Sequence, residues 1–327
     1  MFYIIPHFAH YKYQKFIVTL RSDEILEMLM NENVKAKPFV KWVGGKSQLL
    51  DEVRRSLPVD LCSRKGVTYV EPFVGGGAVL FWILQEFPNI EQAVINDINR
   101  ELICTYSVIK NNVEELVDAL AGYQAEYLVL NDADRKNYYF AQRSRYNDRP
   151  ENDVETAALF IFLNRTCFNG LYRVNSKGAF NVPCGRYSNP KICDAETLRA
   201  DSELLKKVTI LCGDFAQTEE YADEHSLFYF DPPYKPLNET SSFTSYSKDG
   251  FDDDEQLRLR DFCNRIAEKK ALFVASNSDP AKDAPSGNFF DHIYERFNIK
   301  RVAASRMINS NGAGRGKLSE IMITNII

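Results

Sequence analysis

The chain has 327 residues, 45% of them hydrophobic and 26% charged, which is typical of a soluble globular protein with one large or two ordinary domains. No apolar run approaches the ~20 residues of a membrane-spanning helix, so no such helix is expected. The formal net charge of −5 argues against nucleic-acid binding over the whole surface and restricts any such contact to local basic patches.

The cysteines and histidines show no pattern of a disulfide framework or a metal site. Seven cysteines without a CxxC pair are typical of reduced thiols, and four scattered histidines lack metal-ligand spacing. The aromatic N-terminus has no continuous apolar core and is a poor signal peptide. We therefore expect a cytoplasmic protein without a metal, in which residues 1–36 form an N-terminal extension with a short helix over Asp23–Asn31.

A first glycine turn follows the extension. Residues 37–46 contain a strand-like start and the turn Gly44-Gly45, and a helix is predicted from Ser47 to about Ser56. Backbone amides and Lys46 favour a carboxylate or a phosphate at this turn, although the GxxxxGK[ST] phosphate-binding pattern is absent. Trp42 has the alternative role of an ordinary core residue.

The next segment has the order of the first unit of a Rossmann-type sheet. A strand over Val67–Val70, the glycine-rich turn Glu71–Gly77 and a helix over Ala78–Phe87 follow one another. A second strand over Gln92–Asn96 ends in Asp97, at the spacing from which an acid accepts hydrogen bonds from ribose hydroxyls. Because GxGxxG is absent, the pattern favours an adenosyl ligand without a pyrophosphate.

The middle of the chain interrupts this alternation. Residues Asn99–Leu130 have helical spacing, a polar stretch follows, and another helix is predicted over Val154–Leu163. Residues Asn164–Pro183 are basic, aromatic and rich in turns, with a predicted hairpin. Strands resume at Val208–Leu211, so residues 111–199 are predicted to form an inserted module.

Two long segments carry basic residues and no acid. They are Asn164–Lys191 and Arg296–Ser319. Such segments in an acidic protein favour a local surface that faces phosphates, and a merely solvated face is the alternative.

The most informative stretch is a strand that ends in two prolines. Leu227–Phe230 has the composition of a buried central strand and is followed at once by Asp231-Pro232-Pro233-Tyr234. Ligands bind at the carboxyl ends of strands in open α/β sheets. Asp231 and a proline carbonyl can accept hydrogen bonds from an exocyclic amine, while Tyr234 stacks on its ring. An ordinary strand-ending turn with a solvated aspartate is the alternative.

Further elements continue the α/β pattern to the C-terminus. The polar residues Lys235–Gly250 are predicted to form a lid or binding loop beside the turn. A helix over Asp253–Lys269, a strand over Ala271–Ala275, a tight turn at Asn309–Gly312 and a last strand over Glu320–Thr324 follow.

These motifs, in this order, resemble those of the Dam family of DNA adenine-N6 methyltransferases, class D12 with alpha-type motif order. The matching segments, from about Lys37 to the C-terminus, are Lys41–Lys46, Glu71–Gly77, Asn164–Tyr187, Asp231–Tyr234 and Ser310–Gly312. The resemblance implies an α/β fold, with a Rossmann-like seven-stranded sheet that binds S-adenosylmethionine. It implies a discontinuous catalytic domain, residues 37–110 and 200–327, and an inserted helical and hairpin target-recognition domain, residues 111–199.

The resemblance also implies roles for individual residues. The target adenine would be held by Asp231, Pro232, Pro233 and Tyr234. S-adenosylmethionine would be contacted by residues of the turns and strand ends, namely Trp42, Lys46, Glu71, Phe73, Gly75, Gly77, Asp97, Asp214, Phe215 and Asp231. Duplex DNA would be contacted by Lys41, Phe168, Asn169, Leu171, Arg173, Pro183 and Arg186.

The family's reaction is methyl transfer to N6 of an adenine flipped out of the duplex. Phe168 stands where the family has an aromatic wedge, and Lys41, Leu171, Arg173 and Pro183 match positions that read GATC. Arg173 suits a guanine, and Leu171 and Pro183 suit a thymine methyl. A monomer in solution, associated with the nucleoid through duplex DNA and with a cognate restriction endonuclease as a further partner, is expected. Cytosine-N4 methylation and a catalytically inactive DNA-binding protein remain alternatives.

Overall fold

The computed structural model describes residues 34–46, 48–234, 251–279, 289–305 and 317–326. Contacts divide the chain into two units, Met1–Lys35 and Ala36–Ile327, and every element described below belongs to the second. Three predicted features lie outside the described residues, namely the helix over Asp23–Asn31, the loop Lys235–Gly250 and the turn at Asn309–Gly312 with its Ser310–Gly312 motif.

A seven-stranded sheet is the centre of the second unit. Its strands are β1 Thr68–Glu71, β2 Gln92–Asp97, β3 Val208–Cys212, β4 Ser226–Phe230, β5 Leu272–Ser278, β6 Asn298–Ser305 and β7 Lys317–Thr324. The strand order is β3-β2-β1-β4-β5-β7-β6. The first five strands in this order are parallel, and β7 runs antiparallel to both β5 and β6. The predicted Rossmann-like seven-stranded sheet is confirmed.

Helices account for much of the rest of the described chain. They are α1 Leu50–Ser56, α2 Ala78–Glu86, α3 Arg100–Asn111, α4 Val113–Leu128, α5 Asp132–Asn147, α6 Asp153–Thr166, α7 Ala195–Leu205, α8 Asp253–Glu268 and α9 Phe289–Ile293. Short 3₁₀ turns cover Leu61–Ser63, Phe168–Gly170 and Phe215–Tyr221. None of the helices in these described ranges is long and apolar enough to cross a membrane.

The core lies on both faces of the sheet because successive strand residues point to opposite sides. On one face, Tyr69 and Tyr229 belong to a cluster that includes residues of α2, α3, α6 and α7. On the other face, Phe228 and Phe230 pack against Phe262 of α8. All residues of β4 are buried, which is why this strand reads as a continuous apolar run.

The chain between β2 and β3 is more helical than predicted. The predicted helical region Asn99–Leu130 forms two helices, α3 and α4, which meet at Asn112. The polar stretch after it forms α5, which begins where the Asn131 side chain accepts hydrogen bonds from two backbone amides. The sequence did not predict this helix because its described buried residues are tyrosines, Tyr139 and Tyr146, within an otherwise polar stretch. The helix α6 packs against α3, α4 and α5. The division into catalytic and recognition domains stays a prediction.

Candidate active site

Three neighbouring strands each end at a residue with an acidic side chain. Glu71 is the last residue of β1, Asp97 is the last residue of β2, and Asp231 directly follows β4. The strands lie side by side in the order β2-β1-β4 and run parallel, so their carboxyl ends meet at one edge. Three acids at this edge favour a ligand that carries a positive charge.

The Asp231 carboxylate is held by two side chains from distant parts of the sequence. Lys46 Nζ lies 2.9 Å from Asp231 Oδ1, and the side chain of Lys46 is only 5% exposed whereas that of Asp231 is 21% exposed. Ser276 Oγ, on β5, donates a hydrogen bond of 3.0 Å to the same oxygen. Among the described residues, Lys46 and Ser276 thus both contact Oδ1 of this carboxylate.

The remainder of the Asp-Pro-Pro-Tyr turn is fixed in the same way. The Tyr234 hydroxyl donates a 2.7 Å hydrogen bond to Glu320 Oε2, and Lys46 Nζ lies 4.4 Å from the centre of the Tyr234 ring. The Pro233 carbonyl accepts a hydrogen bond of 3.3 Å from Gln256 Nε2. Two contacts thus set the position of Tyr234, and Pro232 is the buried residue of the turn.

Glu71 is an interior group. It is 2% exposed, and its Oε2 accepts a 2.7 Å hydrogen bond from the Tyr69 hydroxyl. Burial raises the pKa of Glu71 well above its usual value, and the nearby Asp231 and Asp97 act in the same direction. The predicted contact of Glu71 with the cofactor stays a prediction. The structure directs the carboxyl towards Tyr69.

Asp97 closes the glycine turn after β1. Its Oδ2 accepts a hydrogen bond of 3.0 Å from the Gly75 amide, and its Oδ1 accepts one of 2.9 Å from the Asn99 amide. Desolvation raises the pKa of Asp97, and these two amides oppose the shift. The carboxyl group therefore lies at the strand end that the spacing from the glycine turn predicts.

The glycines of this turn make room for an aromatic ring. A Cβ at Gly75 would lie 2.8 Å from Trp42 Cδ1, and one at Gly76 would lie 2.9 Å from Trp42 Cβ. Gly75 and Gly77 also have positive φ angles of 48° and 77°. Trp42 is partly buried and stacks on Tyr172 with ring centres 5.5 Å apart. The core role of Trp42 is thus clear, and its contact with a cofactor stays a prediction.

Asp214 and Phe215 lie at the end of β3, beside Asp97 on the neighbouring strand. Arg258 donates to both oxygens of Asp214, at 2.9 and 2.7 Å, and holds the pKa of that carboxyl below its usual value. The same guanidinium lies 4.2 Å from the centre of the buried Phe215 ring. Phe73, which is partly buried, packs on Phe215 with ring centres 5.3 Å apart.

The segment predicted to read DNA is organised by an antiparallel contact. The backbones of Cys167 and Cys184 form an antiparallel β-bridge, and the Phe168 amide donates a 2.9 Å hydrogen bond to the Pro183 carbonyl. This pairing places the Phe168 turn beside Pro183, and the Phe168 ring is 50% exposed. Asn169 is exposed with a φ of 56°, a conformation that turns favour. The tight turn presents its aromatic side chain to solvent.

The other predicted base-reading residues surround this turn. Lys41 Nζ lies 4.7 Å from the centre of the Tyr187 ring, and Leu171 is partly buried against the core. Arg173 Nε donates a 2.7 Å hydrogen bond to Asn181 Oδ1 across the predicted hairpin, which the structure contains as a bridge between Val174 and Phe180. Arg186 is exposed.

The predicted basic surface holds only in part. In the second segment, Lys300 pairs with Glu52 at 3.1 Å, and Arg301 pairs with Asp279 and Asp291. These acids lie outside the segment, so the composition of the segment alone could not predict the ion pairs. In the first segment, Arg165 donates a 2.7 Å hydrogen bond to the Phe39 carbonyl, and Lys191 pairs with Asp194. Three other basic residues of that segment, Arg173, Lys177 and Arg186, are exposed as Lys191 is.

Comparison with known proteins identifies the family. The family described as D12 class N6 adenine-specific DNA methyltransferase matches residues 42–308, which include the acidic strand ends, the recognition segment and the Asp-Pro-Pro-Tyr turn. The chain belongs to this family. As an adenine-specific DNA methyltransferase, it has DNA as its substrate and S-adenosylmethionine as its methyl donor.

Several relatives of this D12 methyltransferase match over most of their length. The Type II methyltransferase M.MjaIII of Methanocaldococcus jannaschii is 48% identical over 295 residues, which cover 89% of the chain and 100% of the relative. The Type II methyltransferase M1.LlaDCHI of Lactococcus lactis subsp. cremoris is 39% identical, covering 92% and 99%. The DNA adenine methylase of Escherichia coli K12 is 33% identical, covering 88% and 95%.

The residues of the D12 methyltransferase site fit S-adenosylmethionine. The acidic edge suits the positive charge of a sulfonium, and Asp97 suits ribose hydroxyls. Ile98, directly after Asp97, is an aliphatic side chain that is 69% exposed, beside the strand end that carries Asp214. Exposed apolar surface at this place suits the flat face of an adenine ring.

Sequence reasoning missed several residues of this site. The position of Ile98 carried a signal in the sequence, because an aliphatic residue directly after a strand-ending acid lies at the edge of the sheet where ligands bind. Ser276 also carried one, since β5 runs three residues beyond the predicted end at Ala275 and finishes in the polar run Ser276–Ser278. Gln256 and Glu320 carried no comparable signal, because their partners are Pro233 and Tyr234, far away in the sequence.

Proposed function

We propose that the protein methylates N6 of an adenine that has been rotated out of duplex DNA into the Asp-Pro-Pro-Tyr turn. The observation that carries the proposal is the Asp231 carboxylate at the carboxyl end of β4, whose Oδ1 is held by Lys46 and Ser276. A half-buried carboxylate fixed in this way is a directed acceptor for an exocyclic amine.

The turn offers the adenine two hydrogen-bond acceptors and an aromatic ring on which to stack. Asp231 Oδ2 and the Pro232 carbonyl accept the two hydrogens of N6, so that the nitrogen lone pair is directed out of the ring plane. The Pro233 carbonyl already accepts a hydrogen bond from Gln256, which favours Pro232 as the acceptor of the amine. Tyr234 stacks on the base, its position set by Glu320. Rotating the base out of the duplex costs a few kcal/mol, which stacking and these bonds offset.

The donor supplies an electrophilic methyl group on a positively charged sulfur. The chain contributes position and charge, because Asp97 and Asp231 lie at the same edge of the sheet. Holding the amine in line with the methyl group provides the main acceleration, because orientation replaces a bimolecular encounter. N6 gains the methyl group as the bond between sulfur and methyl breaks, which leaves a neutral thioether, and the proton lost from N6 passes to solvent from the hydrogen bond that Asp231 accepts.

We further propose that the target sequence is GATC. The support is the motif match of Lys41, Leu171, Arg173 and Pro183, together with the exposed Phe168 turn beside Pro183. An exposed aromatic ring at a tight turn suits insertion into the base stack that the target adenine leaves. Arg173 is exposed and donates to Asn181 from Nε at 2.7 Å and from Nη2 at 3.4 Å, and its other guanidinium hydrogens would read a guanine edge.

A companion restriction endonuclease is part of the proposal. Two relatives at 48% and 39% identity are named Type II methyltransferases, whereas the relatives named DNA adenine methylase are 33–34% identical. The greater similarity to the Type II enzymes favours a protective role, in which methylation of one sequence shields the host DNA from a partner nuclease.

The proposal is tested with labelled S-adenosylmethionine, one duplex that contains GATC and one scrambled duplex, with the product nucleoside identified by mass. N6-methyladenine on the GATC duplex alone is expected. Label on both duplexes would remove the GATC assignment, and N4-methylcytosine would replace the adenine reaction by the cytosine alternative. Wild-type protein that binds DNA but labels neither duplex would favour an inactive DNA-binding protein.

The role of Asp231 is tested by Asp231→Ala. We expect turnover to be abolished while duplex binding survives, because the amine loses its acceptor and the recognition residues are unchanged. Wild-type turnover by this variant would remove Asp231 from the mechanism.

A further inference from the structure

Asn164 joins the segment that leads to Lys46 to the turn that carries Phe168. It lies near the end of α6 and is 4% exposed. Its Oδ1 accepts a 2.8 Å hydrogen bond from the Lys41 amide, and its Nδ2 donates to the carbonyls of Lys41 and Gly170 at 2.9 and 3.0 Å. The side-chain amide thus binds Lys41 as a neighbouring strand would, and it binds the Phe168–Gly170 turn at the same time.

The two joined segments are also in close contact with each other. Gly170 has a φ of 64°, and a Cβ at this position would lie 2.5 Å from Lys41 Cδ. The side chain of Lys41 therefore passes directly over the backbone of the recognition turn and continues to the Tyr187 ring. Few positions are open to Lys41 once Asn164 holds its backbone and Gly170 lies beneath its side chain.

The Lys41 segment leads directly to the reaction site. Trp42 is the next residue and packs on the glycine turn that Asp97 closes. Lys46 lies four residues further on and pairs with Asp231. One hydrogen-bonded side chain therefore joins the recognition turn to the segment that leads to the partner of the Asp231 carboxylate.

We infer that Asn164 is a positioning residue that couples base recognition by Lys41 and the Phe168 turn to methyl transfer at Asp231. The inference rests on the proposed function and adds a residue that itself contacts neither DNA nor cofactor. Asn164 acts through the backbone of Lys41 and Gly170. Its loss is expected to reduce the difference in rate between the correct target and a target with one wrong base.

The test uses Asn164→Asp, which has the same shape and keeps the acceptor for the Lys41 amide but replaces both donated hydrogen bonds by repulsion between oxygens. Asn89→Asp is the matched control, since Asn89 Nδ2 also donates to two carbonyls, those of Leu61 and Arg64. Asn89 precedes β2 and lies at the amino end of the sheet, away from the site. For each protein, kcat and KM are measured on the preferred duplex and on every single-base variant of it.

We expect Asn164→Asp to reduce the discrimination at one position of the target at least tenfold, while S-adenosylmethionine affinity changes less than threefold. Asn89→Asp should keep the wild-type discrimination. Unchanged discrimination in Asn164→Asp, with a fall in Tm like that of the control, would overturn the inference and leave Asn164 a purely structural residue.

A second variant decides the matter if Asn164→Asp does not fold. Gly170→Ala places a methyl group against Lys41 from below, leaves Asn164 intact, and is expected to reduce discrimination at the same position. Wild-type discrimination in that variant would likewise overturn the inference. Discrimination is also measured by equilibrium binding to the same duplexes. Failure of the proposed function is seen separately, as wild-type protein that methylates no duplex.

Discussion

Ser276 provides a direct test of how the Asp231 carboxylate is held. It is buried on β5, donates a 3.0 Å hydrogen bond to Asp231 Oδ1, and shares a 3.2 Å hydrogen bond with the Tyr229 hydroxyl. Ser276→Ala removes the hydroxyl with little change in volume. Asp231 then keeps Lys46 as its partner but loses the contact that fixes its orientation from the side of β5.

The expected magnitude follows from these contacts. A hydrogen bond to a charged group contributes about 1.5–3 kcal/mol, and each 1.36 kcal/mol in the barrier changes the rate tenfold. Because Lys46 remains on the same oxygen, we expect the lower half of that range, which corresponds to a kcat reduced about 13–45-fold. The unpartnered Tyr229 hydroxyl should also lower the free energy of unfolding by about 1–3 kcal/mol.

The assay is single-turnover methylation at saturating duplex and S-adenosylmethionine, which reports the chemical step alone. Ser226→Ala is the matched control, since Ser226 is equally buried and its Oγ donates a 2.8 Å hydrogen bond to Asp223, at the opposite end of β4. Both variants should lose stability, and only Ser276→Ala should be slow. A rate within threefold of wild type for Ser276→Ala would refute the proposed positioning of Asp231.

Three further predictions concern stability, the glycine turn and specificity. Burial raises the pKa of Asp201 to about 8, so the unfolded chain releases this proton near pH 4 while the folded protein keeps it, and stability falls as the pH rises. Denaturant unfolding should therefore show wild type losing about 3 kcal/mol relative to Asp201→Asn between pH 5 and pH 8. Gly75→Ala should lower the free energy of unfolding by about 2–3 kcal/mol and weaken cofactor binding, measured by thermal unfolding and titration, because the new Cβ meets Trp42 at 2.8 Å. Arg173→Ala should cost about 1–3 kcal/mol of discrimination at one guanine, measured by competition between duplexes.

Each of these has a control within the chain. Equal pH dependence of wild type and Asp201→Asn would show that Asp201 titrates normally. Gly66→Ala adds a methyl group at a φ of 66° with nothing within 4 Å, so an effect as large as that of Gly75→Ala would exclude the Trp42 contact as the cause. Lys177→Ala should weaken binding to all sequences alike, and the same behaviour in Arg173→Ala would make that arginine a phosphate contact.

Local patterns were sufficient for the framework of the fold and for the position of the Asp-Pro-Pro-Tyr turn. The apolar run before Asp231 predicted β4, because a strand buried on both faces must be apolar throughout. The two prolines predicted where that strand stops, since neither can donate a ladder hydrogen bond. The distance from the glycine turn to Asp97 predicted that acid at a strand end, because strand and helix lengths in such units vary little.

Other features were decided by the tertiary structure alone. The polar helix α5 exists because its tyrosines find a buried surface to cover, which polarity averaged along the sequence conceals. Lys300 pairs with Glu52, so the charge of its segment could not be judged within the segment.

The sequence by itself determined which chemical groups the site contains, because the motif residues and their strand ends are local features. Only the tertiary structure decided how those groups are held. Lys46 and Ser276 reach Asp231 from separate parts of the chain, and Asn164 reaches Lys41 and Gly170 from α6. Such pairings depend on the order of strands and on helix packing, and neither is encoded in the spacing of residues along the chain.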